Sequence, residues 1–130
     1  MEWDELIQKA WEARENAYAP YSNFHVGAAL LTGDGEVFIG CNVENISFGL
    51  TNCAERVAIG AAIAAKGACE IDRIVVVADT ARPVSPCGAC RQVMAEFGVK
   101  QILLVGREGQ EQFILEELLP RATTGILDRG

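Results

Sequence analysis

Between Ile71 and Ala78 the chain carries a β-branched centre, Ile74-Val75-Val76-Val77, in which apolar and polar side chains do not alternate. Such residues favour extended backbone, and a strand that is apolar on both faces has to be covered on both. This one segment therefore asks for a sheet with helices on each side. The flanking sequence supplies them. Trp3, Leu6, Ile7, Ala10, Ala13 and Ala17 recur at three- and four-residue steps and predict an amphipathic helix from residue 3 to about 17, ended by Tyr18-Ala19-Pro20-Tyr21-Ser22. Phe24 to Leu31 and Glu36 to Val43 read as two strands of a hairpin around Gly33-Asp34-Gly35. The Ala-rich stretch from Cys53 to Lys66 reads as a buried helix stopped by Gly67.

Beyond the central strand, Arg82 to Pro86 reads as a loop and residues 87 to 97 as a short helix closed by Gly98. Ile102 to Val105 and Gln112 to Leu115 read as strands, and the connection between them is too short for a helical crossover, so they should pair antiparallel. Glu116 to Leu119 suggests a last helical turn before Pro120. The order αββαβαββ implies an α/β fold with a mixed sheet of about five strands layered with helices. No linker or repeat interrupts residues 1 to 130, which read as a single domain.

Half of the residues are hydrophobic and 22% are charged, which excludes disorder and low complexity. No apolar run approaches the ~20 residues of a membrane helix. Met1-Glu2-Trp3-Asp4-Glu5 has neither the basic nor the apolar part of a presequence, so a cytoplasmic location is expected. Eleven Lys and Arg against eighteen Asp and Glu give a net charge of −7, which would repel a nucleic acid backbone. The five cysteines are an odd number, and in a reducing compartment thiols serve metals or catalysis more often than disulfides.

Their spacing singles out Cys53-Ala54-Glu55 and Pro86-Cys87-Gly88-Ala89-Cys90, each at the start of a predicted helix. A Cys-x-x-Cys pair in a first turn sets two sulfurs side by side, where free N–H groups and the helix dipole favour thiolate. On its own the pair also fits half of a zinc ribbon or a redox couple. With Cys53 as a third thiolate and no fourth partner nearby in sequence, the pattern describes a tetrahedral zinc site with one open position. Cys41 and Cys69 have no partner motif and read as small packing residues, and His25, the only histidine, as a strand residue. Glu55, two residues after Cys53, is placed to handle protons without being a ligand. This Cys-x-Glu with Pro-Cys-x-x-Cys resembles the signature of zinc-dependent base deaminases.

The chain resembles the homotetrameric zinc-dependent cytidine deaminases along nearly its whole length. The resemblance rests on Ala19-Pro20-Tyr21-Ser22-Asn23-Phe24, Val26-Gly27-Ala28-Ala29-Leu30, Gly40-Cys41-Asn42-Val43-Glu44-Asn45, Asn52-Cys53-Ala54-Glu55-Arg56 and Ser85-Pro86-Cys87-Gly88-Ala89-Cys90-Arg91-Gln92. It implies a three-layer α/β/α cytidine-deaminase-like fold, zinc on Cys53, Cys87 and Cys90, and a proton shuttle at Glu55. It further implies nucleoside contacts from Phe24, Asn42, Glu44 and Ala54, and compensation of thiolate charge by Arg56. The implied reaction is hydrolytic deamination of cytidine and deoxycytidine, with release of ammonia and a place in pyrimidine salvage. The alternative within the superfamily is a modified cytosine nucleoside, N4-substituted or like blasticidin S.

From the residues themselves, Asn42 and Glu44 stand two apart on a predicted strand, so both should point to one face. An amide and a carboxylate there suit the hydroxyls of a ribose. Arg91 is a second candidate for easing the charge of the sulfurs. The sequence departs from the family pattern at Phe48, commonly Tyr, and at Arg121-Ala122-Thr123-Thr124, where an aromatic commonly follows Leu-Leu-Pro. In the family both positions usually serve a neighbouring subunit's site, and the second change leaves room beside the base, which Leu127 or Phe48 would have to fill.

Overall fold

The structure is a computed structural model and describes residues 1–122; Thr123, Thr124 and Leu127 lie outside the described residues. Its elements are α1 (Trp3–Arg14), β1 (Val26–Thr32), β2 (Val37–Cys41), a single 3-10 turn (Phe48–Leu50), α2 (Ala54–Lys66), β3 (Ile71–Ala78), α3 (Gly88–Glu96), β4 (Gln101–Val105), β5 (Gln110–Ile114) and α4 (Leu115–Leu118). The strands form one sheet in the order β2-β1-β3-β4-β5. Only β3 and β4 run parallel, joined through α3; the other neighbours are antiparallel.

β3 lies at the centre of the sheet, as a strand apolar on both sides must. Ile74 and Val76 join Ala28, Leu30, Ile102 and Leu104 in a core shared with Ala58, Ile59 and Ala62 of α2 and Met94 of α3. Val75 and Val77 join Ala29, Leu31, Leu103 and Val105 on the opposite face, under Leu6 and Ala10 of α1. The period-two alternation of strand side chains thus splits three neighbouring strands between two helical layers. The expected α/β/α layering and antiparallel final pair are both present. No helix among the described residues is long and apolar enough to cross a membrane.

Two glycines set how closely the layers approach. A Cβ on Gly40 of β2 would stand 2.4 Å from the amide nitrogen of Ala58 and 2.5 Å from the carbonyl oxygen of Ala54, both backbone atoms of α2. On the other face, a Cβ on Gly27 would stand 2.1 Å from the carbonyl oxygen of Ala10 in α1. Helix α2 is also held at its far end, where Lys66 pairs with Asp34 at 2.7 Å and Glu36 at 2.9 Å in the β1–β2 turn.

Several boundaries differ from the sequence expectation. Helix α1 stops at Arg14 because Tyr18 is needed in extended pairing: its N–H donates to the Asn42 carbonyl, and its own carbonyl accepts from the Glu44 N–H. β1 begins at Val26 rather than Phe24, since Asn23 has a left-handed φ of 57° that turns the chain before the strand. β2 ends at Cys41, so Asn42 and Glu44 lie beyond the strand. Between them Val43 makes isolated bridges to Tyr18 and Asn52. β5 begins earlier than expected, at Gln110, because the turn is tighter, closed by the Gly106 N–H donating to the Gly109 carbonyl at 3.0 Å.

The Gly40 contact yields a test. Gly40→Ala forces two backbone segments apart, and overpacking of this kind costs about 3 kcal/mol at the upper end of its usual range. Urea unfolding should show that loss as a lowered midpoint. An unchanged midpoint would show that α2 and β2 separate freely at this point.

Candidate metal and substrate site

Helices α2 and α3 begin at one end of the sheet, and each begins with a cysteine: Cys53 is the N-cap of α2 and Cys87 the N-cap of α3. Cys90 follows in the first turn of α3 and is fully buried. The sulfur atoms of Cys53, Cys87 and Cys90 all lie within 4.8 Å of one another. Cys87 Sγ is 3.5 Å from Cys90 Sγ and accepts the Cys90 N–H at 3.5 Å, the helix-start geometry that the spacing called for. Cys41 and Cys69 stand outside this group, and Cys69 packs against the core beneath α2.

Arg56 reaches back one helical turn. Its Nη2 donates to Cys53 Sγ at 3.3 Å and to the Thr51 carbonyl at 3.5 Å, while its buried Nε has no acceptor among the described residues. The Cys53 thiol is lowered to about 5, by the hydrogen bond from Cys90 first and then by Arg56, against the opposing effect of burial. Cys90, the donor in that pair and itself buried, is pushed up. One sulfur therefore ionises readily at the expense of the next. A cation removes that conflict, and three converging soft donors suit zinc in particular. The residues present fit the ion.

Arg91 does not share this task. Its Nε donates to the Pro86 carbonyl at 2.9 Å and its Nη1 to the Leu118 carbonyl at 2.6 Å, so it ties the loop before α3 to α4. The same loop is clamped from its other side. The Arg107 N–H donates to the Thr80 carbonyl at 2.6 Å and the Glu108 N–H to the Ala81 carbonyl at 3.1 Å. A Cβ on Gly106 would meet Thr80, Arg82 and Pro83 backbone atoms at 2.8 to 3.0 Å. Val84, Ser85 and Pro86, next along the chain, form a wall of the site.

Cys53 and Cys87 open into a cavity of ≈ 210 Å³ that Phe24, Asn42, Ala54 and Glu55 also line, with Cys90 buried behind them. Glu55 is only 4% exposed, and burial raises its pKa above the usual carboxylate value, with the charge of Cys53 adding to the effect. Asn42 is buried and already half committed: its Oδ1 accepts the Val26 N–H at 2.9 Å and its Nδ2 donates to the Phe24 carbonyl at 2.7 Å. One N–H and one lone pair remain for a ligand.

Glu44 lies in an adjoining cavity of ≈ 400 Å³ with Tyr21, Ser22, Phe48 and Thr51. Its Oε1 accepts the N–H groups of Tyr21 at 2.9 Å and Ser22 at 3.2 Å, and its Oε2 accepts the Ser22 hydroxyl. These donors hold the carboxyl below the usual glutamate range, the hydroxyl contributing most. Asn42 lines the first cavity and Glu44 the second, and Thr51 lines both. Sequence reading missed Thr51. Its place depends on the Val43–Asn52 bridge and the 3-10 turn, neither of which has a periodic signal.

Comparison with known proteins agrees with this geometry. Residues 1–105 match the family described as the cytidine and deoxycytidylate deaminase zinc-binding region. A cytidine deaminase of Halalkalibacterium halodurans is 55% identical over 122 residues, covering 92% of each chain. The crystal structure of a cytidine deaminase from Burkholderia pseudomallei superposes with a TM-score of 0.89 at 51% identity, covering 95% of this chain and 100% of the other. A blasticidin-S deaminase of Bacillus cereus is more distant, 33% identical over 89% of this chain. With a thiol triad at two helix starts, a buried glutamate beside it and matches that run through both motifs, the chain belongs to the zinc-binding cytidine deaminase family.

Proposed function

We propose that this protein hydrolytically deaminates cytidine and deoxycytidine to uridine and deoxyuridine, with zinc held by Cys53, Cys87 and Cys90. The observation that carries the reading is the convergence of three sulfurs within 4.8 Å of one another, two of which, on Cys53 and Cys87, line a cavity that a buried Glu55 also lines. Zinc held by these sulfurs would supply a water of lowered pKa, and so a nucleophile at mild pH.

Glu55 takes a proton from that water and delivers it to N3 of the cytosine ring as oxygen bonds to C4. It then takes the proton of the new C4 hydroxyl and passes it to the exocyclic amine, the C4–N bond breaks, ammonia leaves, and a carbonyl remains at C4. Burial favours this work because it raises the affinity of the carboxylate for the proton it has to hold between the two transfers. Ala54, fully buried at the start of α2, and Phe24, at the cavity wall, bracket the base. The remaining capacity of Asn42 and the carboxylate of Glu44 in the next cavity serve the ribose hydroxyls. Arg56 offsets the charge on Cys53 at 3.3 Å.

The resemblance to a blasticidin-S deaminase supports a second reading, in which a modified cytosine nucleoside is taken. A carboxylate and an amide placed for a ribose favour the plain nucleoside. Ammonia release from cytidine by purified protein, against release from blasticidin S, decides between them.

We also infer a homotetramer that works as a single-domain subunit in the cytoplasm, within pyrimidine salvage. Ile46, Phe48 and Leu50 support assembly: they are 79%, 73% and 65% exposed beside the Glu44 cavity, a costly apolar flank for a lone chain. The five free thiols suit a reducing compartment. A monomeric mass in solution with full activity would refute the assembly.

Two further outcomes are expected. Metal analysis should give one zinc per chain, lost in Cys53→Ala, Cys87→Ala and Cys90→Ala and kept in Cys41→Ala and Cys69→Ala. Glu55→Gln should keep zinc and fold yet lose turnover by about 100-fold or more, because an amide cannot carry the proton; a near-normal rate would remove Glu55 from the mechanism.

A further inference from the structure

The segment between Tyr21 and Phe24 is built around a single hydroxyl. Ser22 Oγ donates to Glu44 Oε2 and accepts the Phe24 N–H at 3.0 Å. The intervening Asn23 takes a left-handed φ of 57°, which folds the chain back so that one side chain can reach both groups. The next peptide is fixed in turn, because Asn42 Nδ2 donates to the Phe24 carbonyl at 2.7 Å. Phe24 is thus held on its N–H side by Ser22 and on its carbonyl side by Asn42. Glu44 and Phe24 border different cavities, and among the described residues the Ser22 hydroxyl is the group hydrogen-bonded to both.

We propose that Ser22 is a positioning residue for nucleoside recognition: its hydroxyl locks the carboxylate of Glu44 in the orientation that meets the sugar and fixes, through the same oxygen, the backbone that presents the Phe24 ring. This rests on the assignment of Glu44 and Phe24 to the nucleoside. Ser22 need not touch the ligand, since its side chain is spent on the two residues that do. Removing the hydroxyl takes from Glu44 one of three donors and from the Phe24 N–H its acceptor. Glu44 remains bound to the Tyr21 and Ser22 amides through Oε1, so the segment keeps its path while the carboxylate gains freedom to rotate. Phe24 is still held from its carbonyl side by Asn42 at 2.7 Å, so the consequence falls on sugar recognition, whereas Glu55 and the sulfurs are untouched.

The test compares cytidine with 2′,3′-dideoxycytidine, which keeps the base and lacks the ribose 2′ and 3′ hydroxyls. Ser22→Ala should raise KM for cytidine about 3- to 10-fold, the effect of one hydrogen bond, with little change in kcat and little change in KM for the dideoxy compound. Ser22→Thr should restore KM, and Ser22→Val, which differs from it by methyl for hydroxyl, should not; this pair decides the matter even if the alanine variant folds poorly. In NMR titration the Glu44 carboxyl should move up toward the ordinary glutamate range in Ser22→Ala and Ser22→Val.

Glu44→Ala is the control. If Glu44→Ala separates the two substrates but Ser22→Ala and Ser22→Val behave as wild type, the role of Ser22 is overturned and the assignment of Glu44 stands. If Glu44→Ala weakens both substrates equally, the assignment itself fails. Equal losses on both substrates in the Ser22 variants would make Ser22 a structural residue only.

Discussion

Backbone contact between α2 and β2 governs the geometry of this molecule. Gly40 lets the helix lie against the strand at a distance no other residue permits, and the consequences run in both directions along each element. Two residues after Gly40 the chain reaches Asn42; at the start of the helix stand Cys53, Ala54 and Glu55. The groups assigned to sugar and base are thus set against those assigned to chemistry by a contact that has no side chain on one side. Lys66 fixes the other end of the helix to the β1–β2 turn, so α2 cannot pivot about the glycine without breaking that pair.

The electrostatics of the site follow from where the elements end. Two helix N-termini direct unpaired N–H groups toward the sulfurs, which favours negative charge there. Arg56 adds a full positive charge that acts on Cys53 first and on Cys90 second, while Cys90 is driven toward its neutral form by Cys53 and by burial. Buried next to this group, Glu55 is pushed toward protonation by desolvation first and by Cys53 second. A carboxyl that holds its proton more firmly than usual and a sulfur that gives one up easily thus stand two residues apart and line one cavity. The asymmetry is a property of the polypeptide before any ion is considered.

Much of this was legible in the sequence because regular elements leave regular marks. β3 was readable to the residue, since a run of Ile and Val has few other ways to be buried, and the cysteine motifs gave the helix starts because their spacing is itself a helical turn. Asn42 and Glu44 mark the limit. Extended backbone continues past the end of β2, so alternation suggested a longer strand, but Tyr18 and Asn52 take the place of a neighbouring strand beside Val43. Thr51 and the clamp around Gly106 had no mark at all. They become visible only when segments distant in sequence are brought together, and no local propensity encodes such a meeting.

The order of the strands leaves β2 and β5 as the borders of the sheet. An open border is a template on which another chain can add a strand, and proteins blunt it with short length and charge. β5 does both: it has five residues, it is largely exposed, and Gln110, Glu111 and Gln112 occupy most of it in a chain of net charge −7. Two such borders brought together would have to desolvate Glu111 and two amide side chains on each strand. Self-association by sheet extension is therefore discouraged at this border.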